Sequence, residues 1–272
     1  MPETGIERLA AMFAEAGADG RAVLLPYMTA GIPDGETSAS IFEAMASADG
    51  FELGIPYADP LMDGPVIAAA GRESIALGMT VRRAIELVEE VATGTGKPVI
   101  VMTYTNPVLS FGVDDFLGAI SAAGAAGLIV ADLPVEEAGP YLEAARGHGI
   151  GMALFVAPTT TEARLASIAA EAPAFLYGIA TLGVTGERAH LAATATALAE
   201  RVRAVTEVPL VLGVGISTPE QAAAAGAVAD GVIVGSALVR TVTEASSSGE
   251  AALAVSQAVD ALAAALRGVK SV

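Results

Sequence analysis

Residues 209–236 read PLVLGVGISTPEQAAAAGAVADGVIVGS, and they contain one complete strand–loop–helix–strand unit. The apolar run Pro209–Gly213 is typical of a strand that is buried on both faces, and Gly231–Val234 is a second such run. Between them, Ser217-Thr218-Pro219-Glu220 supplies capping oxygens and a proline, as the first turn of a helix does. The pattern predicts a parallel β-α-β unit with a glycine-rich loop after its first strand.

The same strand pattern recurs over the whole chain at fairly regular intervals. Eight short, mostly continuous apolar runs are predicted as strands: Val23–Met28, Gly50–Gly54, Pro98–Thr103, Gly127–Ala131, Gly151–Val156, Phe175–Ile179, Pro209–Gly213 and Gly231–Val234. Ala-rich segments with helical spacing lie between them: Glu36–Ala48, Val81–Val91, Asp114–Ala123, Glu136–His148, Glu162–Ala172, His190–Thr206 and Pro219–Ala225. Eight alternations in 272 residues predict an α/β fold, a single (β/α)8 TIM barrel in one domain, 1–272. A doubly wound open sheet is the alternative, but it seldom needs eight evenly spaced units.

Additional helices are predicted at the ends of the chain and in two loops. Ile6–Glu15 precedes the first strand, Val66–Leu77 lies in the loop after strand two, and a short helix follows strand eight. A last helix near Ala251–Leu266 is expected to turn four apolar side chains toward the core: Leu253, Val259, Leu262 and Leu266. The long connections Ile55–Thr80 and Ala180–Ala189 are candidate lids, because barrels place their chemistry in the loops after the strands.

Composition excludes several function classes. The net charge is −17 and the 14 basic residues are scattered, so neither nucleic acid nor an anionic membrane is an expected partner. No uninterrupted apolar run is long enough to span a membrane, and the acidic N-terminus does not resemble a signal peptide, so we expect the cytoplasm. There is no Cys, and the two histidines, His148 and His190, lack metal-ligand spacing, so no metal site is predicted.

Carboxylates gather where the second strand gives way to its loop. Glu52 lies on the strand, and Asp59 and Asp63 lie in the Pro- and Gly-containing loop that follows. Two carboxylates in different environments can act as an acid and a base, because one can stay protonated while the other is ionised. The alternative is that the two aspartates are turn residues and that Glu52 is a solvated strand end.

Glycine clusters after strands seven and eight indicate a phosphate site. In barrels these loops often present backbone N–H groups to a phosphate, here at Gly213–Ser217 and Gly235-Ser236, although the glycines also suit tight turns. Lys97 and Lys270 are the only lysines, and neither is placed for a Schiff base. The chemistry is therefore expected to rest on carboxylates and on a tyrosine, with three candidates that also suit the core: Tyr27, Tyr104 and Tyr177. Met102 and Phe155 would line an aromatic ligand or pack in the core.

These motifs together resemble the tryptophan synthase alpha subunit family. The resemblance rests on FELGIPYADPLMDGP at 51–65 and extends in order through LPYMTAG at 25–31, MTYTNP at 102–107, VADLP at 130–134, GVTG at 183–186, GVGIS at 213–217 and Gly235-Ser236. It implies a lyase of tryptophan biosynthesis that cleaves indole-3-glycerol phosphate to indole and glyceraldehyde 3-phosphate by a retro-aldol reaction.

The resemblance also assigns roles to individual residues. Glu52 matches the acid/base that protonates indole C3, Asp63 the carboxylate that holds the indole N–H, and Tyr177 a tyrosine beside them. The substrate-binding positions that match are Tyr27 and Met102 at the indole, Gly186, Gly215, Gly235 and Ser236 at the phosphate, and Thr185 in the lid. Thr181 and Val214 depart from the arginine and phenylalanine that better-known members often carry there, which bears on lid closure and indole packing.

A partner is implied as well. The resemblance implies an αββα heterotetramer in which this chain carries no cofactor and passes indole to a beta subunit that carries pyridoxal phosphate. Contacts are expected from Pro56–Pro60, Asn106–Ser110 and Pro134. Three alternatives stay open: a standalone indole-3-glycerol phosphate lyase, a phosphate-binding barrel isomerase, and a binding-only subunit that activates a partner.

Overall fold

The protein is a closed barrel of eight parallel strands arranged in chain order. The computed structural model describes residues 3–172, 174–179, 188–213 and 215–269. The strands are β1 Val23–Thr29, β2 Phe51–Gly54, β3 Val99–Thr103, β4 Gly127–Val130, β5 Gly151–Val156, β6 Phe175–Ile179, β7 Leu210–Gly213 and β8 Gly231–Val234. All eight strand predictions are confirmed to within one residue at each end, and so is the TIM barrel.

The register of the strands decides which side chains enter the barrel together. Neighbouring strands are parallel, and Tyr27 of β1 stands beside Glu52 of β2, as Phe155 of β5 stands beside Tyr177 of β6. Because side chains alternate between the two faces of a strand, paired residues share a face. These four side chains all reach the same end of the barrel interior, where the carboxyl ends of the strands meet.

Helices surround the barrel and fill its connections. Their bounds are α1 Gly5–Ala18, α2 Ser38–Ala44, α3 Pro65–Ala76, α4 Val81–Thr95, α5 Thr105–Phe111, α6 Val113–Ala122, α7 Gly139–Gly147, α8 Glu162–Glu171, α9 Arg188–Arg203, α10 Pro219–Gly226, α11 Ser236–Thr243 and α12 Ser248–Ala265, with a 3₁₀ turn at Val135–Glu137. The helices predicted before strand one and in the loops after strands two and eight are confirmed as α1, α3 and α11. In the described ranges no helix is long and apolar enough to span a membrane.

One helix was not predicted from the sequence. The segment TNPVLSF forms α5, directly after β3, although Asn106 and Pro107 favour a loop. Proline breaks a helix in its interior but is tolerated in the first turn, where its missing N–H leaves no helical bond unmade. Pro107 is the third residue of α5, so the helix accommodates it.

One core prediction is wrong. Leu253 of α12 is 61% exposed, whereas Val259, Leu262 and Leu266 are buried as expected. The buried face also contains Val255, so it runs through 255, 259, 262 and 266 at spacings of four and three residues. Leu253 lies two residues before Val255, which turns it to the opposite side of a helix with 3.6 residues per turn.

Candidate active site

Glu52 and Asp63 reach one cavity from two different elements. Glu52 is the second residue of β2 and its side chain is buried inside the barrel. Asp63 comes from the loop after β2, immediately before Gly64, the N-cap of α3, and Pro65, the first residue of that helix. Both side chains line a cavity of about 280 Å³ at the carboxyl ends of the strands. That volume is close to the lower bound of roughly 300 Å³ for small-molecule pockets.

Burial keeps Glu52 protonated at neutral pH. Removal from water raises the pKa of its carboxyl to about 8, and the nearby charge of Asp63 adds to the increase. Its Oε2 atom is fully buried and has no hydrogen-bond partner among the described residues. A protonated carboxyl with one free oxygen in a cavity can donate its proton to a ligand.

Asp63 is less buried and keeps its charge more readily. Desolvation raises the pKa of Asp63 to about 6, and a hydrogen bond from the Tyr104 hydroxyl opposes the increase. The same hydroxyl accepts a bond from the Met62 N–H at 3.3 Å, so Tyr104 holds both Asp63 and the residue before it. The centroid of the Tyr104 ring lies 5.2 Å from that of the Tyr57 ring. Sequence reasoning counted Tyr104 among several tyrosines, and its position directly after β3 was the only signal of this role.

Two buried tyrosines flank the carboxylates. Tyr27 and Tyr177 both line the cavity, and burial raises the pKa of each phenol well above its ordinary value, with further increases from the charges of Glu52 and Asp63. Both phenols are therefore neutral at neutral pH. A Cβ atom on Gly54 would collide with the Tyr27 hydroxyl, and one on Gly213 with the Tyr177 hydroxyl, so two strand-end glycines make room for these rings.

Apolar side chains form most of the cavity wall. Met102 and Phe155 line it as expected, and the Phe155 ring lies 4.9 Å from that of Tyr177. Sequence reasoning missed the remaining apolar lining: Met62, Ile67, Ile129, Ala131, Ile179, Ile216 and Ile233. Ile129, Ile179 and Ile233 lie on strands at inward-facing positions, which alternation along each strand could have identified once the register was known.

Backbone groups line another part of the cavity. Gly215, with φ +84°, follows β7, and Gly235 and Ser236 lie where β8 joins the N-terminus of α11. The first N–H groups of a helix lack intrahelical acceptors and favour an anion. Ser217 also lines the cavity, and among the described lining residues none is a Lys or Arg.

Four predicted positions lie outside the described residues. They are the lid residues Thr185 and Gly186 and the two departures, Thr181 and Val214. Lys97 lies at the opposite end of the barrel, where its Nζ donates to the carbonyls of Ala46 and Ala48. Among residues 3–172, 174–179, 188–213 and 215–269, no group of three or more Asp, Glu and His side chains could hold a metal ion.

Comparison with known proteins places this chain in a family. The family model described as "Tryptophan synthase alpha chain" matches residues 13–267. The chain belongs to this family. The tryptophan synthase alpha chain of Salinispora tropica is 44% identical over 242 residues, which cover 88% of this chain and 90% of that one. That of Streptomyces avermitilis is 40% identical over 257 residues, covering 94% and 93%.

Solved structures of tryptophan synthase share the fold. The chain matches Mycobacterium tuberculosis tryptophan synthase with a TM-score of 0.87 at 39% identity, covering 96% of this chain and 98% of that one. It matches the tryptophan synthase alpha subunit of Legionella pneumophila with a TM-score of 0.87 at 32% identity, covering 95% and 98%.

Membership in the tryptophan synthase alpha family gives the reaction. The chain is a carbon–carbon lyase that cleaves indole-3-glycerol phosphate in tryptophan biosynthesis. This family needs no cofactor in the alpha chain, and pyridoxal phosphate belongs to the beta chain.

Proposed function

We propose that Glu52 and Asp63 divide the acid and base work of this cleavage. At neutral pH the pKa of Glu52, about 8, keeps its carboxyl protonated, whereas that of Asp63, about 6, leaves a carboxylate. Glu52 then donates its proton to indole C3, and the Asp63 carboxylate accepts a hydrogen bond from the indole N–H. The observation that carries the proposal is that both carboxyls line one cavity, where Glu52 Oε2 is buried without a partner among the described residues, and the separation of the two pKa values supports it.

The proposed steps balance without a metal or a Schiff base. Protonation at C3 leaves a positive charge on the indole ring, which Asp63 stabilises at the nitrogen. The Glu52 carboxylate then removes the proton from the hydroxyl on the carbon attached to C3. That carbon becomes the aldehyde of glyceraldehyde 3-phosphate, and the electrons of its bond to C3 return to the ring, giving indole. Glu52 ends the cycle protonated, as it began.

The remaining side chains are proposed to bind the two ends of the substrate. Tyr27 and Met102 would contact the indole, and Tyr177, a neutral phenol beside Glu52, would act as a hydrogen-bonding group near the reacting carbon. Gly215, Gly235 and Ser236 would bind the phosphate through N–H groups and a hydroxyl. Contacts from Thr185 and Gly186 remain predictions from the sequence.

Replacement of Asp63 tests the division of roles. Purified chain is supplied with indole-3-glycerol phosphate and the indole released is measured for wild type, Asp63→Asn and Asp59→Asn. Asp59 is an exposed aspartate in the same loop, so it controls for the loss of charge. We expect Asp63→Asn to lose about 10²-fold in cleavage and Asp59→Asn to stay within about twofold. Equal rates for the two variants would contradict the role of Asp63.

We also propose that the rim of this cavity binds a beta subunit in an αββα complex. Three of the large apolar side chains that are most exposed lie in the connections that follow the neighbouring strands β2 and β3: Leu61, Met62 and Leu109. Leu109 belongs to the expected contact segment Asn106–Ser110, and the other two follow Pro56–Pro60. Exposed apolar groups on neighbouring connections favour a protein partner. A partner here would receive indole directly from the cavity.

Leu109→Glu distinguishes this assembly from a standalone lyase. Cleavage is measured for the isolated chain and after addition of a purified tryptophan synthase beta subunit. The control is Leu253→Glu on α12, since Leu109 is 58% and Leu253 61% exposed. We expect stimulation to be lost only in Leu109→Glu, with basal cleavage unchanged in both. If the beta subunit neither bound nor stimulated the wild-type chain, the standalone enzyme would be favoured.

Cytoplasmic residence and a single domain over residues 1–272 are proposed from the sequence.

A further inference from the structure

The N-terminus of α5 is held by a residue from a different loop. Asp132 lies two residues after β4, is solvent-exposed, and accepts hydrogen bonds from both the Thr105 N–H and the Thr105 hydroxyl, each 2.7 Å long. Thr105 is the first residue of α5. The carboxylate of Asp132 thus closes the first turn of a short helix that belongs to the preceding β-α unit, in the manner of a helix cap.

The two neighbours of Thr105 both hold the loop that carries Asp63. Tyr104 lies before it and bonds to Asp63 and to the Met62 N–H. Asn106 lies after it and donates from its side-chain amide to the Tyr57 hydroxyl at 3.1 Å. A displacement of Thr105 therefore moves two side chains that reach the β2–α3 loop at different points.

We propose that Asp132 is a positioning residue for the lyase reaction, acting through Thr105 and Tyr104 to hold the Asp63 carboxylate in place. The proposal rests on the role of Asp63 given above. Asp63 lies in a loop, outside any strand or helix, so its position depends on contacts from neighbouring loops. Small displacements of a group that contacts the reacting atoms cost rate, because geometry is part of the catalytic effect.

Substitution of Asp132 tests the proposal in the full-length chain. Asp132→Ala leaves the Thr105 N–H and hydroxyl without their acceptor, whereas Asp132→Asn keeps an acceptor oxygen at the same place. We expect kcat for indole release to fall about tenfold in Asp132→Ala, with KM within about twofold, and most of the rate to return in Asp132→Asn. The control is Glu136→Gln, an exposed carboxylate in the same loop that pairs with Arg164, which should keep wild-type kcat.

A double substitution identifies the route of the effect. Tyr104→Phe removes the hydroxyl that bonds to Asp63, so Asp132→Ala should cost little more in that background than Tyr104→Phe alone. If the two effects multiply, or if Asp132→Ala changes only the melting temperature, the proposal is overturned. Thr105→Val, which removes one of the two bonds, replaces Asp132→Ala if that variant does not fold, and it should lower kcat by a smaller factor. Wild type and Asp63→Asn with equal rates would instead refute the role of Asp63 itself.

Discussion

Carboxylates at the two ends of the barrel lie in opposite environments. At the end where the strands begin, Asp49 accepts from the Leu24 N–H at 2.8 Å and pairs with Arg21 at 2.8 Å. Asp230 repeats the arrangement one residue before β8, where it accepts from the first N–H of β7 at 2.9 Å and pairs with Arg203 at 2.6 Å. Each carboxylate thus accepts a hydrogen bond from a backbone N–H at the start of a strand and has a cation beside it.

At the other end, Glu52 and Asp63 lie in the cavity with no cation among its described lining residues. Burial raises the pKa of both, and the charge of Asp63 raises that of Glu52 further. The comparison shows that the end where strands begin stabilises the fold, while the end where they finish holds desolvated acids that stability alone would not select. The proposed active carboxylates and the structural ones therefore differ in their partners more than in their burial.

The largest expected effect is the loss of cleavage in Glu52→Gln. The amide cannot donate a proton to indole C3 or remove the hydroxyl proton, so the rate of indole release should fall about 10²–10⁴-fold. Circular dichroism should show an unchanged fold, because Gln is nearly the same size. A variant that retains the wild-type rate would remove Glu52 from the mechanism.

Asp49→Ala should show the reverse pattern, with stability lost and chemistry kept. It leaves the Leu24 N–H without its acceptor and removes the less exposed of the two carboxylates that pair with Arg21, which should lower the free energy of unfolding by about 3 kcal/mol. Asp19→Ala is the matched control, since Asp19 also contacts Arg21 but its side chain is 66% exposed against 16% for Asp49. Urea denaturation measures the free energy of unfolding of both variants. A loss of kcat in folded Asp49→Ala would contradict a purely structural role for Asp49.

Glu52→Gln should also make the fold more stable at high pH. The folded pKa of Glu52, about 8, exceeds its ordinary value of 4.5, so the folded state holds a proton that the unfolded state releases between these values. Stability from this group is complete below pH 4.5 and is lost as pH rises toward 8. Gln does not titrate, so the variant should gain on the order of 2 kcal/mol over wild type at pH 8, and less at pH 5. If the difference in melting temperature between Glu52→Gln and wild type did not change with pH, it would contradict a raised pKa for Glu52 in the folded protein.

The smallest expected effect is the pH dependence of the wild-type rate. Cleavage should fall about tenfold per pH unit above about 8, where Glu52 loses its proton, and below about 6, where Asp63 gains one. Because the two carboxyls interact, the two apparent pKa values of the pH profile describe the pair and not the individual residues. Asp63→Asn should remove the acidic limb and keep the alkaline one. An alkaline limb that persists in Glu52→Gln would belong to another group.

Much of the site could be predicted because the fold brings together what the sequence separates. Parallel strands all end at the same face, so the eight strand ends, once identified, placed Glu52, Tyr177, Gly215 and Gly235 around one opening. The prediction for Leu253 was wrong and the helix at Thr105–Phe111 was not predicted, because neither half a turn of rotation about a helix axis nor a proline in the first turn leaves much trace in composition.

The sequence by itself determined the fold and the family, and it singled out Glu52 and Asp63 as the two acids proposed for the reaction. Continuous apolar runs that alternate with helices indicate parallel strands buried on both faces, eight such units favour a closed barrel over an open sheet, and the residue types at the strand ends limit the chemistry. Only the tertiary structure decided which acid is protonated, that Tyr104 bonds to Asp63, and that Asp132 holds α5 from another loop. Those properties depend on distance and desolvation between residues far apart along the chain, which no local pattern records.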